Sequence, residues 1–222
     1  MRILITAGPT REFFDTVRFI SNPSSGKMGY ALAAAAARRG HDAVLVSGPV
    51  AINPPRGVRT VNVTTAAQMA TAAKRAFRRA DAAILTAAVC DYRPREPLTR
   101  KLKKQAHPRT VTLEPTEDIA ASLGRTKGRR ITIAFAMEDY NHHRHAADKL
   151  VRKRCDAIIL NGPENIGTDR ATVEVLIAGE GWTGPWRGTK RQVAERIVRL
   201  AEQLAARKNR LGVRRNQKRE RT

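Results

Sequence analysis

The chain has 222 residues and carries 42 Lys or Arg against 20 Asp or Glu, a formal net charge of +22. Its length suits one compact domain with a sizeable buried core, and its two cysteines, Cys90 and Cys155, exclude a disulfide framework. No stretch approaches the roughly 18 apolar residues of a membrane-spanning helix, and the first apolar run breaks at Gly8-Pro9, too short for a signal sequence. The expected setting is the reducing cytoplasm.

In chain order, short apolar runs alternate with alanine-rich stretches of helical period. Residues 2–6 (RILIT) predict a strand. A polar loop follows, and 26–39 predicts a helix stopped at Gly40. Strands are predicted at 43–47 and 58–63, a helix at 66–80, and a strand at 82–86. Residues 87–109 hold three prolines and no clean period, which predicts a loop. Beyond it come a strand near 110–113, a short helix near 117–123, a strand at 131–136 and a helix near 142–154. Strands at 156–160 and 173–178 and a helix from 190 to about 206 complete the pattern. Strands alternating with helices imply βαβ units. The expected fold is therefore a three-layer α/β/α domain, 1–206, with a mostly parallel sheet. Residues 207–222, RKNRLGVRRNQKRERT, form a basic tail expected to be disordered.

That tail holds eight Lys or Arg and one Glu, so its charge is +7 and the body retains +15. A basic body fits a polyanionic partner, nucleic acid or a phosphorylated substrate. It fits better a drift of composition toward Arg and Ala, with solvated arginines on helix faces.

Ligands of parallel α/β sheets bind beyond the carboxyl ends of the strands. That rule selects 6–22, 86–105, 135–139 and the chain from Asn161 onward. The first loop lacks Gly-x-Gly-x-x-Gly, and Gly26-Lys27 is followed by Met28, so neither a dinucleotide fingerprint nor a Walker loop is present. Ser24, Ser25 and Gly26 stand at a predicted helix N-terminus, where they either cap the helix or offer backbone donors to an anion. In 87–104, Ala87 and Ala88 admit a flat ligand and Asp91 suits ribose hydroxyls. Lys101, Lys103 and Lys104 lie either on a flap that closes over phosphates or on a solvated basic loop. Lys149 and Lys153 share one helix face. His142, His143 and His145 lack accompanying ligands for a metal, and both cysteines read as small apolar fillers without a partner His.

The blocks ITAGPTREFFDTVRFISNPSSGKMG (5–29), LVSGPV (45–50), AAILTAAVCDYRP (82–94), KLKK (101–104), TEDI (116–119), AFAMED (134–139), DKLVRK (148–153) and DAIILN (156–161) stand in one order. In that order they resemble phosphopantothenoylcysteine synthetase of the bacterial type, the coenzyme A pathway enzyme commonly found as the C-terminal half of a bifunctional flavoprotein. The resemblance covers about residues 1–205. It implies a fold with Rossmann-like and ribokinase-like halves, and a homodimer. It also implies a ligase that uses CTP and Mg²⁺ to activate 4'-phosphopantothenate as an acyl-cytidylate, which L-cysteine converts to the amide. Asn22 then matches the Asn that holds the acyl-cytidylate, Arg18 the Arg that acts with it, and Lys101 the flap lysine of activation. Ala87, Asp91, Lys101, Glu117, Asp118, Ile119, Ala120, Phe135, Lys149 and Lys153 match nucleotide positions, and Gly8, Ser24, Ser25 and Gly26 border the substrate phosphate or intermediate. No residues are implied as a resident metal site. Cys90 stands where relatives usually have Ala, and Tyr140–Ala147 is more basic than in relatives. No decarboxylase domain precedes Met1, so the chain is either monofunctional or a fragment; Met1 directly before the first strand favours the expectation of a stand-alone synthetase with a separate decarboxylase chain. Two other readings follow from the residues. A degenerate reductase lacks both its glycine fingerprint and an acidic residue after the second strand. A nucleic-acid-binding protein on an old nucleotide scaffold would use the basic tail.

Overall fold

The computed structural model describes residues 1–138 and 140–219, with side chains as far as residue 210. From β1 (Arg2–Ala7) the chain passes through a hairpin of β2 (Arg11–Phe13) and β3 (Phe19–Ser21) into α1 (Lys27–Arg38). Next are β4 (Asp42–Ser47), β5 (Arg59–Asn62), α2 (Ala66–Phe77) and β6 (Ala82–Leu85). A two-stranded ribbon of β7 (Tyr92–Pro94) and β8 (Leu113–Pro115) precedes α3 (Ile119–Thr126). Then come β9 (Ile131–Met137), α4 (His142–Arg152), β10 (Ala157–Asn161), β11 (Arg170–Ile177), β12 (Gly181–Thr189) and α5 (Lys190–Arg219).

Eight strands make one sheet in the order β12-β11-β10-β9-β6-β1-β4-β5. The six from β10 to β5 are parallel, and β11 and β12 extend one edge of the sheet through antiparallel pairings. Helices cover both faces, so alternate residues of one strand enter different cores. In β1, Ile3, Ile5 and Ala7 pack in the core formed with α1 and α5, while Leu4 packs with Met69, Ala73 and Phe77 of α2. This is why the central strands read as unbroken apolar runs. The fold is the expected three-layer α/β/α arrangement. The alanines of α1 allow a close approach to the sheet. A Cβ added at Gly29 would lie 2.4 Å from Cβ of Ala7, so the start of α1 rests directly on the end of β1.

From β1 the chain moves to β4 and β5 on one side, then crosses to β6 on the other. The carboxyl ends of β1 and β6 therefore flank a topological switch point, where such sheets bind ligands.

Four expectations change. The polar loop after β1 holds the hairpin β2–β3. The loop 87–109 contains β7, and its partner strand is Leu113–Pro115 rather than 110–113. Strand β12 was not predicted, because three glycines and Pro185 disguise an edge strand that solvent can reach. Helix α5 continues past 206 to Arg219, so the backbone expected to be a disordered tail is helical to that residue. Arg, Lys, Gln and Leu are good helix formers, and no proline interrupts them. Residues 220–222 lie outside the described chain.

Candidate active site

A cleft of about 490 Å³ opens at the switch point. Asn22 and the turn Ser24-Ser25-Gly26 come to it from the first loop, and Ala87 and Asp91 from the segment after β6. Glu117, Asp118, Ile119 and Ala120 line it at the start of α3, Phe135 from β9, and Lys149 and Lys153 from the end of α4. Segments more than a hundred residues apart thus converge on one cavity.

Gly26 makes the first wall possible. It precedes α1 with φ 73°, a left-handed conformation that favours glycine. A Cβ there would also approach Val50 Cγ1 to 2.8 Å. No side chain caps α1, so the structure does not show Ser24 or Ser25 acting as a helix cap. Gly26, Lys27, Met28 and Gly29 line the cleft instead, and uncapped N–H groups at a helix start attract anions.

Small residues build the second wall. Ala88 N donates to the Gly8 carbonyl at 2.9 Å, and Thr10 N donates to the Ala88 carbonyl at 3.3 Å. These bonds prolong the pairing of β1 and β6 beyond the strand ends. Gly8, expected beside the substrate phosphate, is not among the residues that line the cleft and joins the two strand ends through its carbonyl. The Asn22 amide nitrogen bonds the Val89 carbonyl at 3.0 Å, with the Ala88 carbonyl at 3.4 Å. This bond ties the first loop to the second across the switch point.

The expected lysines are paired with carboxylates. Lys153 Nζ lies 3.3 Å from Asp118 Oδ2, and Lys149 pairs with Glu138. Asp118 also caps α3 by accepting from Ala121 N at 2.9 Å. Burial pushes the Asp118 carboxyl up, but the Ala121 N–H and the Lys153 ammonium outweigh it, and the net shift is downward. A hydrogen bond from Lys74, 2.7 Å away, lowers the Glu117 carboxyl.

Several lining residues escaped the sequence reading. Lys27 Nζ bonds Asp169 Oδ1 at 2.6 Å and the Gly167 carbonyl at 3.1 Å. Lys190, only 8% exposed, bonds the Asn165 carbonyl at 2.9 Å. Burial, then the neighbouring Lys27 charge, lowers its pKa. Nothing local marks Lys190, which reaches the cleft because α5 starts against the loop after β10. Asn161 also lines the cleft, as its position at the end of β10 foretold.

Arg18 and Lys101 are not lining residues. Arg18 Nη1 donates to Asp15 Oδ2 at 2.7 Å and to the Leu102 carbonyl at 2.8 Å. Lys101 is exposed beside Leu102. Asp15 is 1% exposed. Burial pushes its carboxyl up, but the N–H groups of Arg18, Val17 and Leu102 and the Arg18 charge bring it down to about 2. Asp139, in the segment expected to border the site, lies outside the described residues.

Cys90 is buried, with its N–H bonded to Thr10 Oγ1 at 2.9 Å. Burial raises its thiol pKa, and it pushes that of Cys155 up to about 11. Among the described residues no three His, Cys, Asp or Glu are grouped to hold a metal, and no helix is long and apolar enough to cross a membrane. Mg²⁺ carried by a nucleotide needs only one or two carboxylates besides phosphate and water. Asp91, Glu117 and Asp118 in the cleft suit that kind of ion.

Comparison with known proteins agrees with this architecture. The coenzyme A biosynthesis bifunctional protein CoaBC of Vibrio cholerae is 43% identical over 184 residues, covering 82% of this chain and 43% of that protein. A cysteine/cysteine sulfinic acid decarboxylase from an unknown prokaryotic organism is 43% identical over 180 residues, 78% of this chain and 50% of that protein. The chain thus spans half or less of these two relatives. The crystal structure of the C-terminal domain of a CoaBC protein matches with a TM-score of 0.80 at 39% identity, covering 91% of this chain and 94% of that one. A family profile described as the DNA/pantothenate metabolism flavoprotein C-terminal domain spans residues 1–204, and the chain belongs to that family.

Proposed function

We propose that the cleft joins 4'-phosphopantothenate to L-cysteine in coenzyme A biosynthesis, with CTP as the activating nucleotide. The observation that carries this reading is the convergence of Asn22, Asp91, Glu117–Ala120, Phe135, Lys149 and Lys153 on one cavity beside the uncapped start of α1. The CoaBC likeness supports the pathway. The cations suit the chemistry, because bringing a carboxylate to a triphosphate opposes like charges.

In the first step a carboxylate oxygen of 4'-phosphopantothenate attacks the α-phosphorus of CTP. The bond to the β-phosphate breaks and pyrophosphate leaves. Lys149, Lys153 and the α1 N–H groups hold the phosphates, and Lys101 on its flap meets the charge that develops on pyrophosphate. Mg²⁺ accompanying the nucleotide would neutralise phosphate charge, with Asp91, Glu117 and Asp118 the carboxylates within the cleft. Phe135 and the small Ala87 flank the base and ribose, and Asp91 accepts from ribose hydroxyls.

In the second step the cysteine amine attacks the acyl carbon. The acyl carbon–oxygen bond breaks, CMP leaves with that oxygen, and the amine loses a proton. An Asn amide has two N–H donors and one acceptor. One N–H of Asn22 is held by Val89. The second, whose 3.4 Å contact to the Ala88 carbonyl is the longer one, turns to the acyl oxygen, and Oδ1 to the incoming amine.

The enzyme works as a homodimer in the cytoplasm. A nucleic-acid role for the tail loses support at its first residues. Arg207 pairs with Glu180, and Lys208 Nζ lies 2.6 Å from Asp156 Oδ1.

Oxygen transfer tests the reading. With carboxylate-¹⁸O 4'-phosphopantothenate, CMP will acquire one ¹⁸O when cysteine is present. Unlabelled CMP, or carbon dioxide released from the substrate in place of CMP, would refute it.

A further inference from the structure

The buried carboxylate of Asp15 belongs to none of the assigned roles, yet it joins the two functional segments that lie outside the cleft. Its Oδ1 accepts from Val17 N at 2.8 Å and Arg18 N at 2.7 Å. Its Oδ2 accepts from Arg18 Nη1 at 2.7 Å and from Leu102 N at 3.1 Å. The same guanidinium nitrogen donates to the Leu102 carbonyl at 2.8 Å. Leu102 is thus gripped at both its N–H and its carbonyl, directly next to Lys101. One further bond, Leu98 N to the Phe14 carbonyl at 3.0 Å, ties the flap to the same loop.

We infer that Asp15 is a positioning residue: it locks Arg18 and the Leu102 backbone into one clip that sets where Lys101 can reach. A buried carboxylate with its donors in place is stable, but loss of one of its two accepting oxygens leaves the donors on that side without an acceptor. The chemistry is specific to a carboxylate. Asp accepts on both oxygens, whereas Asn accepts on one and presents N–H donors on the other. In Asp15→Asn the amide must turn donors toward either the loop N–H groups or the Arg18–Leu102 side, and the clip opens. The role in activation rests on the proposed ligase reading, whereas the clip does not.

The experiment separates the two. Limited trypsin digestion reads flap release through cleavage after Arg100, Lys101, Lys103 and Lys104. Asp15→Asn should speed cleavage there about tenfold, the effect of losing one charge-assisted hydrogen bond. Leu102→Pro removes the flap N–H, constrains the backbone on either side of it, and leaves the Asp15 bonds to Val17 and Arg18. It should speed cleavage after Arg100, Lys103 and Lys104 similarly, since trypsin does not cut the bond after Lys101 once a proline follows it. This second variant keeps the test valid if Asp15→Asn fails to fold. Pyrophosphate release from CTP and 4'-phosphopantothenate then reads the chemistry. Asp15→Asn should lower kcat for release more than it raises KM. In a Lys101→Gln background it should cause no further loss. Unchanged flap cleavage in both variants, or losses that simply multiply with Lys101→Gln, would overturn the inference. No release by the unaltered protein would overturn the ligase reading and the catalytic consequence together, while the cleavage rates would still decide the clip.

Discussion

Nζ of Lys153 lies 3.3 Å from Oδ2 of Asp118, and the contact joins the end of α4 to the cap of α3 along the cleft wall. The cation assigned to a nucleotide phosphate is therefore held in place by the residue that starts the neighbouring helix. The two partners separate experimentally. Lys153→Met should raise KM for CTP about tenfold, as loss of one phosphate contact, with little change in thermal midpoint. Asp118→Ala should cost about 1 kcal/mol of stability through loss of the cap, read as a lower urea midpoint. Equal effects of both variants on stability alone would contradict the assignment of Lys153.

Acid stability follows from the same carboxylates. Asp15 and Asp118 both titrate below the ordinary value of 3.8 in the folded chain. A depressed carboxyl stabilises the fold fully above its unfolded value, and that contribution is lost as pH falls through the folded value. Urea midpoints should hold from pH 7 to about pH 5 and drop between about pH 4 and pH 2. The ¹³C carboxyl resonance of Asp15 should titrate near 2; a midpoint at 3.8 would contradict the bonding described.

For Asn22, the bond to Val89 anchors one end of the amide. Asn22→Asp replaces a donor with an acceptor and sets a negative charge beside the acyl oxygen. Pyrophosphate should still appear as a burst of about one equivalent per site, while amide formation falls roughly 10²–10³-fold, the usual loss for one oxyanion donor. Normal turnover would remove Asn22 from the mechanism.

The cysteines should be inert. With Cys90 raised and Cys155 near 11, both buried, iodoacetamide at pH 8 should leave the folded chain unmodified over minutes and label both thiols once it is unfolded. Rapid labelling of Cys90 in the folded chain would show that the pocket behind Asn22 opens.

The legible parts of this molecule were those written in local pattern. Buried runs such as 82–85 and 157–160 announce doubly covered strands, and their carboxyl ends point to the loops that carry Asn22, Asp91 and Asn161. The hairpin β2–β3 was missed because three residues per strand are too few for a period-2 signal. Glu138, Lys190 and Asp15 were missed for another reason. Each acts through partners fixed only by the tertiary fold. Lys190 bonds a carbonyl 25 residues away, and Asp15 accepts from Leu102, 87 residues away.

The most direct measurement is pyrophosphate release by the purified protein with 4'-phosphopantothenate and Mg²⁺, with CTP or ATP, and with or without L-cysteine. Release with CTP, and sustained CMP production only when cysteine is added, is the predicted result. No release with either nucleotide would contradict the assignment of the cleft to carboxylate activation.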